Sequence, residues 1–155
     1  MTSKIEATLA AINVTLFTPA IPAGNYVPYV RSGNLLFVSG QICYTADGSL
    51  IAKGKLGADV TLERGVLAAR QCGINLLSVA RMALGELDRI DRVIRLGGFV
   101  NSQPDFEHGP TVLNGASDLM VAAFGDRGRH VRTTVGVAAL PGAAAVEVDA
   151  IFEIR

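Results

Sequence analysis

The sequence contains no tryptophan, and aromatic residues make up only 6% of its 155 positions. It also lacks an excess of charge of either sign, because 14 basic residues balance 14 acidic ones. Proteins that bind nucleic acids usually carry a basic surface, and many add aromatic platforms on which bases stack. The composition therefore disfavours a nucleic-acid partner, while the 50% hydrophobic content is enough for a real core.

Cysteine and histidine are scarce too, with two residues of each kind. Cys43 and Cys72 form no CxxC motif, and His108 and His130 have no partner at the spacing of a zinc site. No apolar stretch approaches the roughly 18 residues of a membrane span, and the N-terminus lacks the apolar core of a signal peptide. We therefore expect a cytoplasmic protein with reduced thiols, no metal and no membrane partner.

The spacing of apolar residues predicts one domain over residues 1–155, in which residues 1–24 form an N-terminal helix and a connector. The predicted helices cover 3–12, 61–84 and 110–124. The predicted strands cover 35–38, 93–100, 133–140 and 146–154, and a further strand begins at Ile42. This order favours an α+β fold with helices packed on one face of a mixed sheet.

Two charged residues stand out near the end of the chain. Arg132 opens the first of the last two predicted strands, and Glu147 lies at the start of the second. Because the connection through Pro141 and Gly142 is short, the two strands could pair as a hairpin. Arg132 and Glu147 could then lie near one pocket if the sheet curves or a neighbouring subunit covers them. Alternatively, charged residues on an alternating strand form only its solvated face.

Several segments together resemble the RidA/YjgF family of enamine and imine deaminases, which older usage calls endoribonuclease L-PSP. They are Tyr26, Gly33-Asn34-Leu35, Ser39-Gly40-Gln41-Ile42, the run from Arg132 to Pro141, and Val146-Glu147-Val148-Asp149-Ala150. The resemblance extends from about residue 25 to the end. The N-terminal helix and residues 115–119 are similar to those of a longer subgroup.

This resemblance implies a chorismate-mutase-like α+β fold, with one mixed sheet and two long helices on one face. It also implies a homotrimer in which three sheets close into a central barrel, with ligand clefts between subunits. The ligand implied is a small carboxylate-bearing metabolite, such as a 2-imino or 2-keto acid.

The resemblance also assigns roles to six residues. Arg132 would hold the substrate carboxylate in a bidentate fork, and Glu147 would position or activate water. Gly40 would contact the ligand through its backbone. Tyr26 would cover the cleft, and Phe99 would form part of its apolar wall. Thr134 stands where the family often has cysteine, so it offers a backbone N–H but no thiol.

The activity implied is hydrolysis of small enamines and imines, derived from 2-amino acids, to 2-keto acids and ammonia, without a cofactor or metal. Thr134, and Pro104 where many members have asparagine, keep a second interpretation open: a trimer that binds a carboxylate metabolite without converting it. A third, endoribonuclease activity, follows only from the older family name. The neutral charge and few aromatic residues weigh against it.

Overall fold

The computed structural model describes residues 3–155 as three helices and five strands. In chain order these are α1 (Lys4–Ala11), β1 (Tyr29–Ser32), β2 (Leu35–Ile42), α2 (Leu62–Leu84), β3 (Ile90–Asn101), α3 (Gly109–Phe124), β4 (Val131–Val137) and β5 (Val146–Ile154). The strands form one sheet in the order β1-β2-β5-β3-β4. Only the β3–β4 pair is parallel, so the sheet is mixed and the predicted α+β class is confirmed.

The ends of the long helices follow local signals in the sequence. Thr61 caps α2, because its side chain accepts a hydrogen bond from the Arg64 N–H at 3.2 Å. Gly85 ends the same helix with a φ of 84°, a conformation that glycine adopts without steric cost. Pro110 lies in the first turn of α3, where its missing N–H leaves no hydrogen bond unmade.

Small residues let the helices pack closely on each other and on the sheet. A Cβ atom on Gly115 of α3 would collide with the Val66 carbonyl oxygen of α2. A Cβ atom on Gly98 of β3 would collide with the Leu113 side chain of α3.

The core lies between the sheet and the helices. Strand β5 alternates strictly: five residues facing the helices are buried, and the four between them are half-buried on the other face, called here the open face. The buried residues are Val146, Val148, Ala150, Phe152 and Ile154. Helices α2 and α3 both lie on the buried side, as predicted, and the side chains between them and the sheet are apolar.

The predicted pairing of the last two strands is wrong. β4 and β5 do not form a hairpin, because β3 lies between them. After α3 the chain returns parallel to β3 and adds β4 at the edge of the sheet. β5 then enters the middle, between β2 and β3, where both of its sides find antiparallel partners and its buried face meets α2.

Between residues 3 and 155, no helix is long and apolar enough to cross a membrane. Within the same range, no three histidine, cysteine or acidic side chains cluster as metal ligands would. Cys43 and Cys72 are free thiols in the core, and burial raises the pKa of Cys72 well above its ordinary value.

Candidate functional site

A cleft of about 730 Å³ lies where the connector of residues 17–26 passes over β2 and the start of β5. Three of the six predicted site residues line it: Tyr26, Gly40 and Glu147. We call it the Glu147 cleft. Ser39 holds the connector in place, because its hydroxyl donates to the Val27 carbonyl at 2.7 Å. The structure thus brings these three residues together, and their roles remain predictions.

The floor of the cleft is built by Asn75, a buried residue of α2. Its side-chain amide donates to the carbonyls of Ile42 at 2.9 Å and Tyr44 at 3.0 Å. These hydrogen bonds hold the end of β2 against the helix. The walls are mainly apolar, and the other lining residues include Phe17, Pro19, Ile21, Pro22 and Tyr44.

Glycine is required at position 40 because the Glu147 carboxylate lies against its Cα. A Cβ atom there would collide with Glu147 Oε1. The β2–β5 register shifts between Val38 and Gln41, so the strand bulges at this point and brings Gly40 to the cleft. A ligand in the cleft can therefore reach the Gly40 backbone and the Glu147 carboxylate together.

Glu147 is suited to proton transfer. Burial raises its pKa above the ordinary value, and the nearby negative charge of Asp149 raises it further. Asp149 itself forms an ion pair with Arg95 at 2.8 Å. Among residues 3–155, none of the ion pairs includes Glu147. Its carboxyl group therefore binds a proton more tightly than an ordinary glutamate does.

Arg132 lies elsewhere, in a second group of side chains between β4 and α3. Its Nη1 donates to Asn114 Oδ1 at 2.8 Å and to Ser117 Oγ at 3.2 Å, and its Nη2 donates to the Pro110 carbonyl at 3.2 Å. Ser117 also contacts His130. We call these five residues the Arg132 cluster.

The cluster holds the guanidinium in one orientation and leaves part of it available. A guanidinium has five N–H groups, and three are used by Asn114, Ser117 and Pro110. The remaining two suffice for one bidentate contact with a carboxylate. Thr134, two residues further along β4, has a buried hydroxyl without a hydrogen-bond partner among residues 3–155.

The strand register shows that Arg132 and Glu147 lie on opposite faces of the sheet. Arg132 pairs with Leu96 of β3, whose side chain is buried under the helices. Glu147 pairs with Phe99, three residues further along β3 and hence on the open face. The expectation of a shared pocket within a hairpin is therefore wrong for a single chain, since β3 separates the two strands.

The other predicted residues divide between the two groups. Phe99 lies on the open face between Glu147 and Val135 of its neighbouring strands, although it does not line the cleft. Thr134 pairs with Gly98 and shares the face of Arg132. Pro104 lies in neither group; it lines a separate hollow of about 410 Å³ beside Gly136.

Sequence reasoning did not identify Asn114, Ser117 and His130 as neighbours of Arg132. A signal is present in α3, because Pro110, Asn114 and Ser117 recur at steps of four and three and so share one helix face. The neighbours of Arg132 on this helix face can be recognised only when the position of β4 beneath α3 is known. The expected hairpin placed β4 beside β5 and so gave no reason to expect α3 next to Arg132.

A family model agrees with the resemblance seen in the sequence motifs. The model described as YjgF/chorismate mutase-like endoribonuclease matches residues 6–152, nearly the whole chain. Protein TCP17 of Trypanosoma cruzi is 47% identical over 153 residues, which cover 98% of this chain and 95% of that protein.

Solved structures agree with the fold. The protein Atu1372 from Agrobacterium tumefaciens is 45% identical and superposes with a TM-score of 0.90, over 97% of this chain and 93% of that one. A Shewanella oneidensis protein is 36% identical, with a TM-score of 0.93, over 97% and 99% of the two chains. Both likenesses include α1 and the connector, because they span almost the full length.

Proposed function

Because the chain belongs to the YjgF/chorismate mutase-like endoribonuclease family, we propose that it hydrolyses small enamines and imines of 2-amino acids to 2-keto acids and ammonia. The reaction takes place in clefts between the subunits of a homotrimer. One observation carries the proposal: Arg132, with two N–H groups left for a ligand, and Glu147, with its raised pKa, lie on opposite faces of the sheet, where two neighbouring subunits could bring them together.

The Arg132 cluster supplies recognition of the substrate carboxylate. Three contacts from α3 fix the guanidinium before any ligand arrives, so little side-chain entropy is lost on binding. The two remaining N–H groups match the two oxygens of a carboxylate. Thr134, on the edge strand β4, offers a backbone hydrogen bond to the same ligand.

The Glu147 cleft supplies the proton transfers. An enamine first tautomerises to the imine, and the oxygen of water then adds to the carbon of the C=N bond. Glu147 accepts a proton from the attacking water and delivers it to the imine nitrogen, which gives a carbinolamine. It then transfers the proton of the carbinolamine hydroxyl to the same nitrogen. The C–N bond breaks, ammonia leaves, and the carbon retains the oxygen as the ketone of a 2-keto acid. The raised pKa of Glu147 suits a group that must carry out both transfers.

The assembly proposal is supported by apolar residues on the open face. Phe37 is 39% exposed, Val30 52%, Val131 67% and Val135 43%, although all four belong to strands of the sheet. β4 also lies at the edge of the sheet. A second copy that covers the open face would bury these residues, and its β4 edge could bring Arg132 to the Glu147 cleft.

Binding without turnover is the second candidate function. It is favoured by Thr134, since the residue provides a hydroxyl but no thiol beside the anion-binding guanidinium. In this case the same two parts would hold a carboxylate metabolite, and Glu147 would contact it without transferring a proton. An endoribonuclease function is supported by the description of the family and by that of the Shewanella oneidensis protein, but the net charge of zero weighs against it.

Substitution of Arg132 tests the anion-binding role. A charge-assisted hydrogen bond contributes about 1.5–3 kcal/mol, and about 1.4 kcal/mol corresponds to a factor of ten in affinity. Arg132→Ala should therefore weaken pyruvate binding, measured by calorimetry on the folded protein, by at least about tenfold. Arg132→Lys should restore only part of the affinity, because an ammonium group cannot form the bidentate fork.

Arg129→Ala is the matched control, because Arg129 is nearby in sequence but exposed and bound only to Asp126. It should leave pyruvate affinity unchanged. Hydrolysis of an imine generated in situ by an amino-acid oxidase then separates the two candidate functions. Binding without accelerated imine hydrolysis identifies the non-catalytic function, and unchanged pyruvate affinity in Arg132→Ala removes the proposed site.

A further inference from the structure

Three hydrogen bonds in series link the Gly128 carbonyl to the guanidinium of Arg132. His130 Nδ1 lies 2.7 Å from the Gly128 oxygen, and His130 Nε2 lies 2.8 Å from Ser117 Oγ. Ser117 Oγ in turn lies 3.2 Å from Arg132 Nη1. The proposed hydrolysis uses neither His130 nor Ser117, so this chain of contacts requires a separate explanation.

The direction of each hydrogen bond follows from the groups at the two ends. The Gly128 carbonyl can only accept, so His130 Nδ1 carries the proton. Nε2 of the neutral ring is then an acceptor and receives the Ser117 hydroxyl proton. The guanidinium can only donate, and it does so to a lone pair of Ser117 Oγ. The network is therefore complete when His130 is neutral and in its Nδ1–H tautomer.

The charged groups around His130 explain its preference for the neutral form. Burial lowers its pKa, and the positive charge of Arg132 lowers it further, while the Gly128 carbonyl acts in the opposite direction. The ring is packed between β4, the face of α3 that carries Ser117, and the turn Gly125–Gly128. The other charged residues of these segments are exposed: Asp118, Asp126, Arg127 and Arg129. Arg132 is thus the charge coupled most closely to His130.

We propose that His130 is proton-linked to the anion site of Arg132: a carboxylate bound to the guanidinium promotes proton uptake at His130, and acid in turn strengthens carboxylate binding. The link rests on the anion-binding role proposed for Arg132, but it does not require imine turnover. Reciprocity follows from thermodynamic linkage between two ligands, here the anion and the proton.

Protonation of His130 reverses one hydrogen bond of the network and leaves the other contacts of Arg132 in place. Nε2–H of the imidazolium donates to Ser117 Oγ, and the Ser117 hydroxyl turns toward another acceptor. Arg132 stays in place, because Asn114 Oδ1 and the Pro110 carbonyl still accept from its guanidinium. The main change is thus one additional positive charge beside the anion. A bound carboxylate neutralises the charge of Arg132 that opposed this protonation.

Proton NMR of the histidine rings tests the link directly, because the chain contains only two histidines. His108 is the internal control: it packs edge-on against Phe106, with ring centroids 5.8 Å apart. Each ring is titrated from pH 8 to pH 4.5, with and without saturating pyruvate, and assigned with His108→Gln and His130→Gln.

Pyruvate should raise the titration midpoint of His130 by about half a pH unit or more and leave that of His108 unchanged. By linkage, pyruvate affinity should then rise about threefold between pH 7.5 and the acidic end of the His130 titration. In His130→Gln, pyruvate affinity should no longer rise on acidification. Glu147→Gln removes the only other titrating group assigned to the site, and in this variant the rise in pyruvate affinity should remain. Nitrogen chemical shifts at high pH should report the Nδ1–H tautomer for His130.

Arg132→Gln should raise the His130 midpoint in the absence of pyruvate, and added pyruvate should then have no further effect. The comparison of wild-type protein with and without pyruvate remains decisive if this variant fails to fold. Pyruvate binding that depends on Arg132 but leaves the His130 midpoint unchanged would overturn the link and leave the proposed anion site intact. If pyruvate does not bind at all, both the link to His130 and the anion site at Arg132 are overturned.

Discussion

At the scale of single residues, the position of Glu147 in the fold determines the pKa of its carboxyl group. It is half-buried beside Asp149, and no cation within residues 3–155 forms an ion pair with it. A carboxylate in such a place is less stable than in water, which is why its pKa is raised. This instability reduces the stability of the fold, and in the proposed reaction it would serve proton transfer.

The stability that the ionised Glu147 carboxylate costs the fold can be measured with the variant Glu147→Gln. Because the pKa of Glu147 is higher in the folded than in the unfolded chain, the ionised carboxylate destabilises the fold above the folded pKa. The penalty disappears as the pH falls below the ordinary glutamate range. Glu147→Gln should therefore raise the free energy of unfolding at pH 7.5, by about 0.5 kcal/mol, since partial exposure screens the effect. The gain should vanish near pH 4.

Urea denaturation at both pH values measures this difference. Glu153→Gln, on the same strand and face, is the control and should show no comparable gain at pH 7.5. A loss of stability in Glu147→Gln at pH 7.5 would contradict the assignment of an uncompensated carboxylate. In parallel, pyruvate affinity should be retained better than any imine-hydrolysing rate.

The structure brings some of the predicted site residues together and leaves others apart, for a physical reason. Tyr26, Gly40 and Glu147 belong to segments with distinctive local patterns, and the structure brings them to one cleft. The surroundings of Arg132 depend on which strand lies beneath α3, and no local pattern specifies that. His130 was interpreted as the end of a turn, and its two hydrogen bonds became evident only with the fold.

At the scale of elements, the N-terminus of α1 is held by a side chain outside the helix. Asp88 Oδ1 accepts from the Ser3 hydroxyl at 2.8 Å and from the Ile5 N–H at 2.9 Å, and Oδ2 accepts from the Lys4 N–H at 2.9 Å. Such contacts satisfy donors that a helix cannot satisfy internally at its N-terminus. The hydrogen bond from Ile5 contributes most to lowering the pKa of Asp88.

We expect Asp88→Ala to destabilise the protein by about 1–2 kcal/mol, the usual cost of removing a helix cap. The folded pKa of Asp88 lies below its ordinary value of 3.8, so this stabilisation is present above that value. It is lost as the pH falls through the folded pKa. The difference between wild type and Asp88→Ala, measured by urea denaturation, should thus be full at pH 7 and shrink on acidification toward pH 2.

Asp118→Ala, at an exposed position of α3, is the control and should change stability by less than about 0.5 kcal/mol. Proteolysis should separate two causes of instability. If Asp88 acts through α1, cleavage of Asp88→Ala should begin within residues 4–16 while the remainder resists. Uniform cleavage throughout the chain would show that Asp88 supports the whole fold instead.

Elements with strong local signals were predicted well, and elements defined by distant pairing were not. The limits of α2 and α3 follow from caps, a terminal glycine and a proline, all readable in sequence. β1 was missed because only Tyr29 of its four residues is even half-buried, so it has no alternation. The hairpin was predicted wrongly because a short connection does not reveal that β5 passes β4 to reach the centre of the sheet.

At the scale of the whole molecule, the exposed apolar residues of the open face predict a homotrimer. We expect light scattering to give a mass three times 16.2 kDa, about 49 kDa, at micromolar concentration. Phe37→Asp should lower that mass, since a carboxylate would be buried among apolar groups from the other subunits. Met82→Asp is the control: Met82 is similarly exposed, at 41%, but lies on α2 on the other side of the sheet.

A monomeric wild-type mass would refute the trimer and with it the cleft between subunits. A trimer that Phe37→Asp leaves intact would instead place the interface elsewhere on the molecule. In that case the Arg132 cluster and the Glu147 cleft would need another explanation for their separation. Neither outcome would contradict the fold of the single chain.

The strand order also has a consequence for biosynthesis. β5 is the last strand in the chain, yet it joins β2 to β3. Residues 102–145, 44 in all, must be translated after β3 before β5 can begin. At about 5–20 residues per second, this takes about 2–9 s. During that interval the ribosome-bound chain carries two apolar strands without their common partner, so a chaperone that shields strand edges should associate with this nascent chain until β5 is complete.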